Sequence, residues 1–485
     1  MTRGIHWFRN DLRLHDNLAL AALAERSTAW LPIFVIDPAM LARSGRDSPR
    51  ARFLFDCLAR LEGDLLARGF ALQILEGKPE RLIPELMAKT GATLVSWNNA
   101  STPLGRRRDL KVANGISRAG GQTIQLDDHT VFGPDEIKTK NGRHYCVYTP
   151  YRNEWWKTWE RDPRPSSSTA RYPKAPIPEI AISRDRHSTF VSENGSKVRL
   201  PRGGEESAKR RLRKFLSGPA SRYHLDRDRP DIDGTSRLSP YLRFGAISAR
   251  RCFTEGLRKI ESDPRARPGI SKWLDELIWR EFYNAVLINT PHVLSRAFKP
   301  EYDELNWKGN AAQFAAWCEG RTGYPFVDAG MRQLRSTGRM HNRVRMVVAS
   351  FLTKDLLVDW RRGERFFFDS LVDGDPASNN GGWQWSASTG TDAQPYFRIF
   401  NPVVQGKKWD PDGRYVRRWV PELRKVDPKW IHTPWQEPSS RVQYIRPIVD
   451  HDVQRRLALD EFRRVRSLKG RPSLLVPADR SEVSQ

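Results

Sequence analysis

The 485-residue chain sets 82 Lys and Arg against 57 Asp and Glu, a formal charge of +25, which points to a polyanionic partner, nucleic acid first, unless the charge serves solubility alone. Its four cysteines, Cys57, Cys146, Cys252 and Cys318, lie far apart with no CxxC pair, which argues against a disulfide framework or a zinc site. The longest apolar runs, such as Met346–Leu352, are too short to span a bilayer, and the opening MTRGIHWFRNDLRLHDN lacks the pattern of a secretory leader.

A length of this order suggests about two or three domains, in a soluble, reducing, cytoplasmic setting without a membrane. Residues 1–160 hold 23 basic and 18 acidic side chains, so +20 of the +25 falls after residue 160. Basic residues interleaved with aromatics, 17 of them Trp, suit unpaired or flipped bases, which need phosphate contacts and stacking faces together.

In chain order, GIHWF, WLPIFVID, ALQILEG, TLVSWN and TIQLDD read as five short strands, with helical periods between them such as Arg50–Gly69. That alternation predicts a parallel, doubly wound α/β sheet, with sites beyond the carboxyl ends of the strands. Pro, Ser, Gly and charge dominate residues 161–206, as in a linker or long surface loop. From Glu206 the apolar spacing is helical and strand signals nearly vanish. The expected organisation is an α/β domain over 1–132, an interdomain linker over 133–205, a large all-helical domain over 206–475 and a tail over 476–485.

Five stretches could carry chemistry. GTSRLS (Gly234–Ser239) is either a phosphate-holding turn at a helix start or a plain N-cap. WLDELIWREFY (Trp273–Tyr283) repeats Glu276, Trp279, Arg280 and Tyr283 on one helical side, as a buried structural network or as the wall of a base-stacking pocket. MHNRVRM (Met340–Met346) puts Asn342 and Met346 on one face; Arg343 or Arg345 could pair with Asp373 or Asp375, or lie on the surface. LVDGDPASNNGG (Leu371–Gly382) reads as a loop with Asx turns, metal ligation being the alternative. NNGGWQWSASTGTD (Asn379–Asp392) sets Trp383 and Trp385 among small residues that give an indole little to pack on. No Ser-His-Asp order, P-loop, HExxH or GxGxxG stands out, and residue chemistry alone stops short of a reaction.

WFRNDLRLHDN, DELIWREFY, EGRTGYPFVDAGMRQL, MHNRVRMVVASFLTKDLLVDWRRGE and DGDPASNNGGWQWSASTGTDAQPYFRIFNP, in that order, resemble the photolyase/cryptochrome family over nearly the whole chain. The resemblance is closest to the class I cyclobutane pyrimidine dimer photolyases. It implies that the helical domain binds FAD and that a monomer repairs pyrimidine dimers in DNA with light and reduced FAD. It also implies an electron-transfer chain, Trp383 nearest the flavin, then Trp360, then Trp307 toward the surface. Tyr223, Thr235, Ser236, Arg237, Leu238, Ser239, Trp273, Arg280, Asp373 and Asp375 match FAD-contacting positions. Arg345 matches the salt-bridge partner of Asp373 beside the flavin, and Asn379 the amide facing flavin N5. Arg227, Glu276, Trp279, Tyr283, Asn342, Arg343, Met346, Trp385 and Gln405 match positions at the dimer or its DNA strand. Trp279 and Trp385 form opposite aromatic walls, and Glu276 hydrogen-bonds the dimer. No metal is implied.

Three departures stand out. Arg339 occupies a position usually held by Trp, which alters packing at the pocket rim or adds a phosphate contact. Pro376 replaces a common Leu. Leu104 and Gly105 stand where an Asn-Glu pair grips a folate antenna, and DPAML and WNNASTPLGRRRD look more like members with a deazaflavin antenna; deazaflavin, folate and flavin all stay open as the second chromophore. The rival readings are a cryptochrome that signals without repair, a (6-4) photolyase, which usually needs a second His where Asn342 follows His341, and a DNA-binding scaffold.

Overall fold

The computed structural model describes residues 2–38, 45–177, 198–438 and 443–468; the expected tail over 476–485, and parts of DPAML and of the expected linker, lie outside them. Five strands, β1 (Arg3–Phe8), β2 (Ala29–Ile36), β3 (Gln73–Glu76), β4 (Leu94–Asn98) and β5 (Gln122–Leu126), run parallel in the order β3-β2-β1-β4-β5. A two-residue strand, β6 (Ala175–Pro176), extends the sheet beside the start of β2. β1 and β2 are buried on both faces along most of their length, which is why they read as continuous apolar runs. The intervening helices Pro49–Leu66 and Pro103–Arg118 start on Ser48 and Thr102, whose side chains accept from the Ala51 and Gly105 amides, with proline at the first helical turn.

Within 133–205, residues Tyr148–Arg161 form a helix that buries Tyr148, Tyr151, Trp155 and Trp159. Trp155 stacks on Phe253 at 4.6 Å, and Tyr151 lies 5.3 Å from Phe282. From Glu205 on, the regular elements among the described residues are all helical, and the longest of these helices is Arg267–Asn289.

The sheet domain and the helical domain share one hydrophobic cluster, which runs from Phe8 and Phe53 to Phe244 and Phe282. Polar contacts lock the same junction. Arg13 and Arg250 both pair with Asp128, and Ser248 donates to Asp16 at 2.5 Å. Glu281 on the longest helix accepts from the Val131 amide at 2.6 Å and from Trp155 Nε1 at 2.7 Å; burial pushes its carboxyl up to about 7, against the pull of those bonds. No helix among the described residues is long and apolar enough to cross a membrane.

Candidate active site

The helix Arg267–Asn289 buries most of its surface, yet Glu276, Trp279, Arg280 and Tyr283 are only half-buried. The stripe read at spacing three and four is therefore the open side of a core helix. Glu276 forms an ion pair with Arg227 and lies 3.6 Å from Lys272. Arg280 turns the other way, donating to the His129 carbonyl at 2.7 Å and to the Leu242 carbonyl at 3.3 Å. The stripe thus splits: Glu276, Trp279 and Tyr283 stay on the open side, while Arg280 ties the helix to the His129 segment after β5. Trp273 sits in the core, edge-on to Phe215 at 5.1 Å, and Tyr223 packs on the same ring at 5.9 Å.

GTSRLS leads into the helix Ser239–Arg243, but Leu238 at its start makes no side-chain cap bond. The N-cap reading fails because the Ser239 hydroxyl donates to Asp373 at 2.6 Å instead. Arg211 holds the loop from behind, donating to the carbonyls of Ser236 at 2.7 Å and Thr235 at 3.1 Å. Arg237 is left-handed at φ 51, a strained backbone for a non-glycine residue. Arg237 and Arg211 both pair with Asp233, at 2.7 and 3.3 Å. Arg345 pairs with Asp373 at 2.9 Å. Burial alone would raise the Asp373 carboxyl; Arg345 and the Ser239 hydroxyl outweigh it and hold it below the ordinary carboxylate range. Arg339 enters the same corner, its guanidinium lowered to about 10 by burial and by the fields of Arg237, Arg211 and Arg345, with Asp373 opposing. The guanidiniums of Arg211, Arg237, Arg339 and Arg345 outnumber the carboxylates of Asp233 and Asp373, so the corner is positive and suits an anionic group such as a diphosphate.

Of the segment expected to be an Asx-turn loop, residues 371–375 form a turn, but from Pro376 it is a helix, Pro376–Ala387. Asp375 is its N-cap, accepting from the Ser378 amide at 2.9 Å, and Pro376 sits in its first turn. The run of Asn and Gly hid it, because its stability comes from packing: a Cβ on Gly381 would stand 2.2 Å from the Tyr283 ring. Asp375 Oδ2 and Arg243 Nη1 are buried without a hydrogen-bond partner, although Arg243 Nε lies 3.8 Å from that carboxylate oxygen. A ligand edge carrying both donors and acceptors would satisfy the two groups. Asn379 donates to the Glu364 backbone carbonyl at 2.9 Å and side chain at 3.1 Å, which leaves its amide oxygen available.

The two indoles of NNGGWQW face different surroundings. Trp383 is 2% exposed, edge-on to Phe367 at 4.9 Å and to Trp317 at 6.0 Å. A Cβ on Gly363 would stand 2.2 Å from its ring, so the helix Trp360–Ser370 lies directly against it, and Trp360, one turn earlier, is 1% exposed. Two residues past half-buried Trp307, the Gly309 amide donates to the Leu357 carbonyl at 2.9 Å, just before Trp360. Trp360 and Trp383 belong to one buried cluster, against which Trp307 packs. Trp385 is half-buried, 6.5 Å from Phe400.

On the rim, Asn342 Nδ2 and Met346 Sδ approach at 3.8 Å. Arg343 pairs with Asp228 at 2.9 Å rather than with Asp373 or Asp375, and lies 4.7 Å over the Trp409 ring. Gln405 accepts from Trp409 Nε1 at 3.0 Å.

At the carboxyl ends of β1 and β4, Asn98 donates to Asp11 at 2.7 Å and to Asn17 at 2.8 Å. Burial would raise Asp11, but His6, Asn98 and the Arg9 amide hold it at about 2. Arg9 and Arg108 lie 4.6 and 5.2 Å from the Trp7 ring. Leu104, at the start of the helix Pro103–Arg118, is largely exposed. No group of three or more His, Cys, Asp or Glu able to hold a metal occurs among the described residues.

Sequence reasoning missed Arg243, at the end of the short helix that GTSRLS leads into, and Arg211, His129 and Tyr148, which reach the site from segments distant in sequence. Only Arg211, one charge in the run KRRLRK, carried any signal, and that signal did not distinguish it from its neighbours.

Comparison with known proteins matches residues 4–170 to the DNA photolyase family and residues 273–464 to the FAD binding domain of DNA photolyase. A deoxyribodipyrimidine photo-lyase of Synechococcus sp. is 40% identical over 465 residues, covering 93% of this chain and 94% of that protein. Among solved structures, a class III photolyase from Agrobacterium tumefaciens superposes with a TM-score of 0.89 at 36% identity, over 96% of this chain and 98% of that one. A Synechocystis cryptochrome superposes with a TM-score of 0.86 at 27% identity, over 95% and 99%.

Proposed function

The chain belongs to the photolyase/cryptochrome family, and from that premise we infer that it repairs cyclobutane pyrimidine dimers in DNA with light, with FAD as its cofactor. The observation that carries the reading is the open stripe Glu276, Trp279 and Tyr283, whose Tyr283 lies against Gly381 on the helix that bears half-buried Trp385; the lesion recess we propose lies between the two indoles, beside an arginine-rich corner. Overall fold does not separate repair from signalling, since a cryptochrome superposes nearly as well. The near-full-length likeness to a photo-lyase and the set Glu276, Trp279, Met346 and Trp385 favour repair.

The residues fit FAD. Thr235, Ser236, Arg237, Ser239 and Arg345 would hold its diphosphate, with Arg339 adding charge, and Arg243, Asp375 and the Asn379 oxygen would meet its ring edge. When bound, reduced and excited by light, FAD supplies the electron that opens the cyclobutane ring and regains it afterwards. The chain does the rest. Trp279 and Trp385 offer stacking faces to a flipped dimer. Arg227, Arg343 and Gln405 sit where the DNA strand would run. Trp383, Trp360 and Trp307 are the route by which electrons reach the cofactor from outside.

The finer assignment we propose is a class I enzyme with a deazaflavin-type antenna at the carboxyl ends of β1 and β4. Support comes from DPAML, WNNASTPLGRRRD and the absent folate pair. An absorption spectrum of the purified protein tests it, because a band beyond those of FAD would identify the second chromophore and a folate spectrum would contradict the assignment.

Trp279→Ala tests the pocket. One base–aromatic stack is worth about 1–3 kcal/mol, so affinity for dimer-containing DNA should fall by that amount while affinity for undamaged DNA barely changes, since phosphate contacts dominate there. Equal losses on both DNAs would make Trp279 a core residue only.

Binding should also weaken steeply with salt as phosphate contacts release counterions. Arg343→Ala should flatten the log–log salt slope by about one unit. An unchanged slope would mean that Asp228 keeps Arg343 to itself.

A further inference from the structure

We propose that the segment Cys146–Arg152, part of neither wall of the recess, fixes the spacing of the two walls, with Tyr148 as the positioning residue for Trp279. The proposal rests on the reading of Trp279 and Trp385 as the walls of a lesion pocket.

Trp279 rides on the helix Arg267–Asn289, and Trp385 on the helix Pro376–Ala387. These helices touch directly where Tyr283 lies against Gly381. A second tie runs through the segment just before and inside the helix Tyr148–Arg161. The Tyr148 ring lies parallel to the Trp279 indole, with centroids 3.6 Å apart and 9° between planes. Tyr148 is buried whereas Trp279 is half-buried. One indole face is thus covered by protein, and on the lesion-pocket reading the other would take a base. The Tyr148 hydroxyl donates to the Asp275 carbonyl at 2.8 Å, and Arg152 Nε donates to the Asp275 side chain at 2.6 Å. Asp275 stands one turn before Trp279, so the clamp grips the backbone of that wall as well as its indole.

The same segment reaches the opposite wall. The Tyr148 amide donates to Asp392 Oδ2 at 2.9 Å, and the Thr391 hydroxyl donates to the Cys146 carbonyl at 2.6 Å. Thr391 and Asp392 follow the end of the Trp385 helix after a short turn. Asp392 is left-handed at φ 42, a conformation that a non-glycine residue keeps only when its surroundings hold it. One short stretch therefore orders an indole on one wall and the exit of the helix bearing the other. An aromatic wall ordered in advance need not be ordered when a ligand arrives, which strengthens binding of whatever stacks on it. Binding through phosphates gains nothing from this, so the effect should be specific to damaged DNA.

The test compares wild type, Tyr148→Ala, Tyr148→Phe and Thr391→Val, each with FAD content and melting temperature recorded. Binding is measured to an oligonucleotide carrying one cyclobutane thymine dimer and to its undamaged copy. Tyr148→Ala should weaken binding to the dimer about tenfold, within the range for one stacking partner, and leave the undamaged copy unaffected. Tyr148→Phe keeps the ring and should restore most of the preference; Thr391→Val should reduce it in the same direction. A wild-type preference in Tyr148→Ala, or equal losses on both DNAs, overturns the proposal. Should Tyr148→Ala fail to fold, Thr391→Val decides, and an unchanged preference there overturns it. A wild-type protein that does not prefer the dimer defeats the lesion-pocket reading, and the clamp with it.

Discussion

Trp383→Phe is expected to abolish light-driven reduction of oxidised FAD while leaving repair by pre-reduced protein largely intact. The geometry makes this variant decisive. Trp383 is wedged between the helix backbone at Gly363 and the rings of Phe367 and Trp317. Behind it, Trp360 is sealed in the core, and half-buried Trp307 is the member with access to solvent. A phenyl ring fits the same slot but is far harder to oxidise than an indole, so the proposed route breaks at its inner end. Repair draws on cofactor and lesion alone and does not need that route. The measurement is the loss of oxidised-flavin absorbance under illumination with an external reductant. Photoreduction of the variant at the wild-type rate would show that electrons enter elsewhere.

Glu276→Ala is expected to lower both lesion affinity and the yield of ring opening per absorbed photon. Glu276 is half-buried on the open stripe and clamped by Arg227. A carboxylate only accepts hydrogen bonds, so on the proposed reading it would accept from a ring N–H of the flipped dimer, while the Arg227 guanidinium beside it would offer donors to a carbonyl whose negative charge grows after electron uptake. Losing the carboxylate removes one bond and frees Arg227 to move. A charged hydrogen bond is worth about 1.5–3 kcal/mol, hence roughly a tenfold to hundredfold loss of affinity. At saturating DNA the affinity loss no longer limits the rate, and a lowered yield that persists there assigns Glu276 to the chemistry. A yield equal to that of wild type at saturation would reduce it to a binding residue.

The sheet was legible because β1 and β2 are buried on both faces, so hydrophobicity alone marked them to within a residue or two. β3 was read too long, as ALQILEG, where only Gln73–Glu76 pair; its residues are half-buried at a sheet flank and the apolar signal runs past the ladder. The stripe on Trp273–Tyr283 was legible for the same reason as the strands, since its spacing matched the helix it lies on. The helix Pro376–Ala387 was not, because Asn, Gly and Ser oppose helix formation locally and only contact with Tyr283 and the Asp375 cap reverse that. Ion-pair choices were equally hidden. Nothing in MHNRVRM says that Arg345 takes Asp373 while Arg343 takes Asp228, over a hundred residues away. Tyr148 escaped notice because its segment was read as linker, and its value lies wholly in what it touches. The roles of the individual tryptophans came from the family resemblance; the geometry adds that Trp360 and Trp383 are both sealed in the core while Trp307 is half-buried.

The most direct test is a repair assay. Pre-reduced protein is illuminated with one oligonucleotide carrying a cyclobutane thymine dimer and another carrying a (6-4) photoproduct, and restored thymine is measured in each. The account predicts restored thymine from the dimer and little or none from the (6-4) lesion, because Asn342 stands where that chemistry would need a second histidine. Repair of the (6-4) lesion alone, or of neither with FAD bound and reduced, would contradict it.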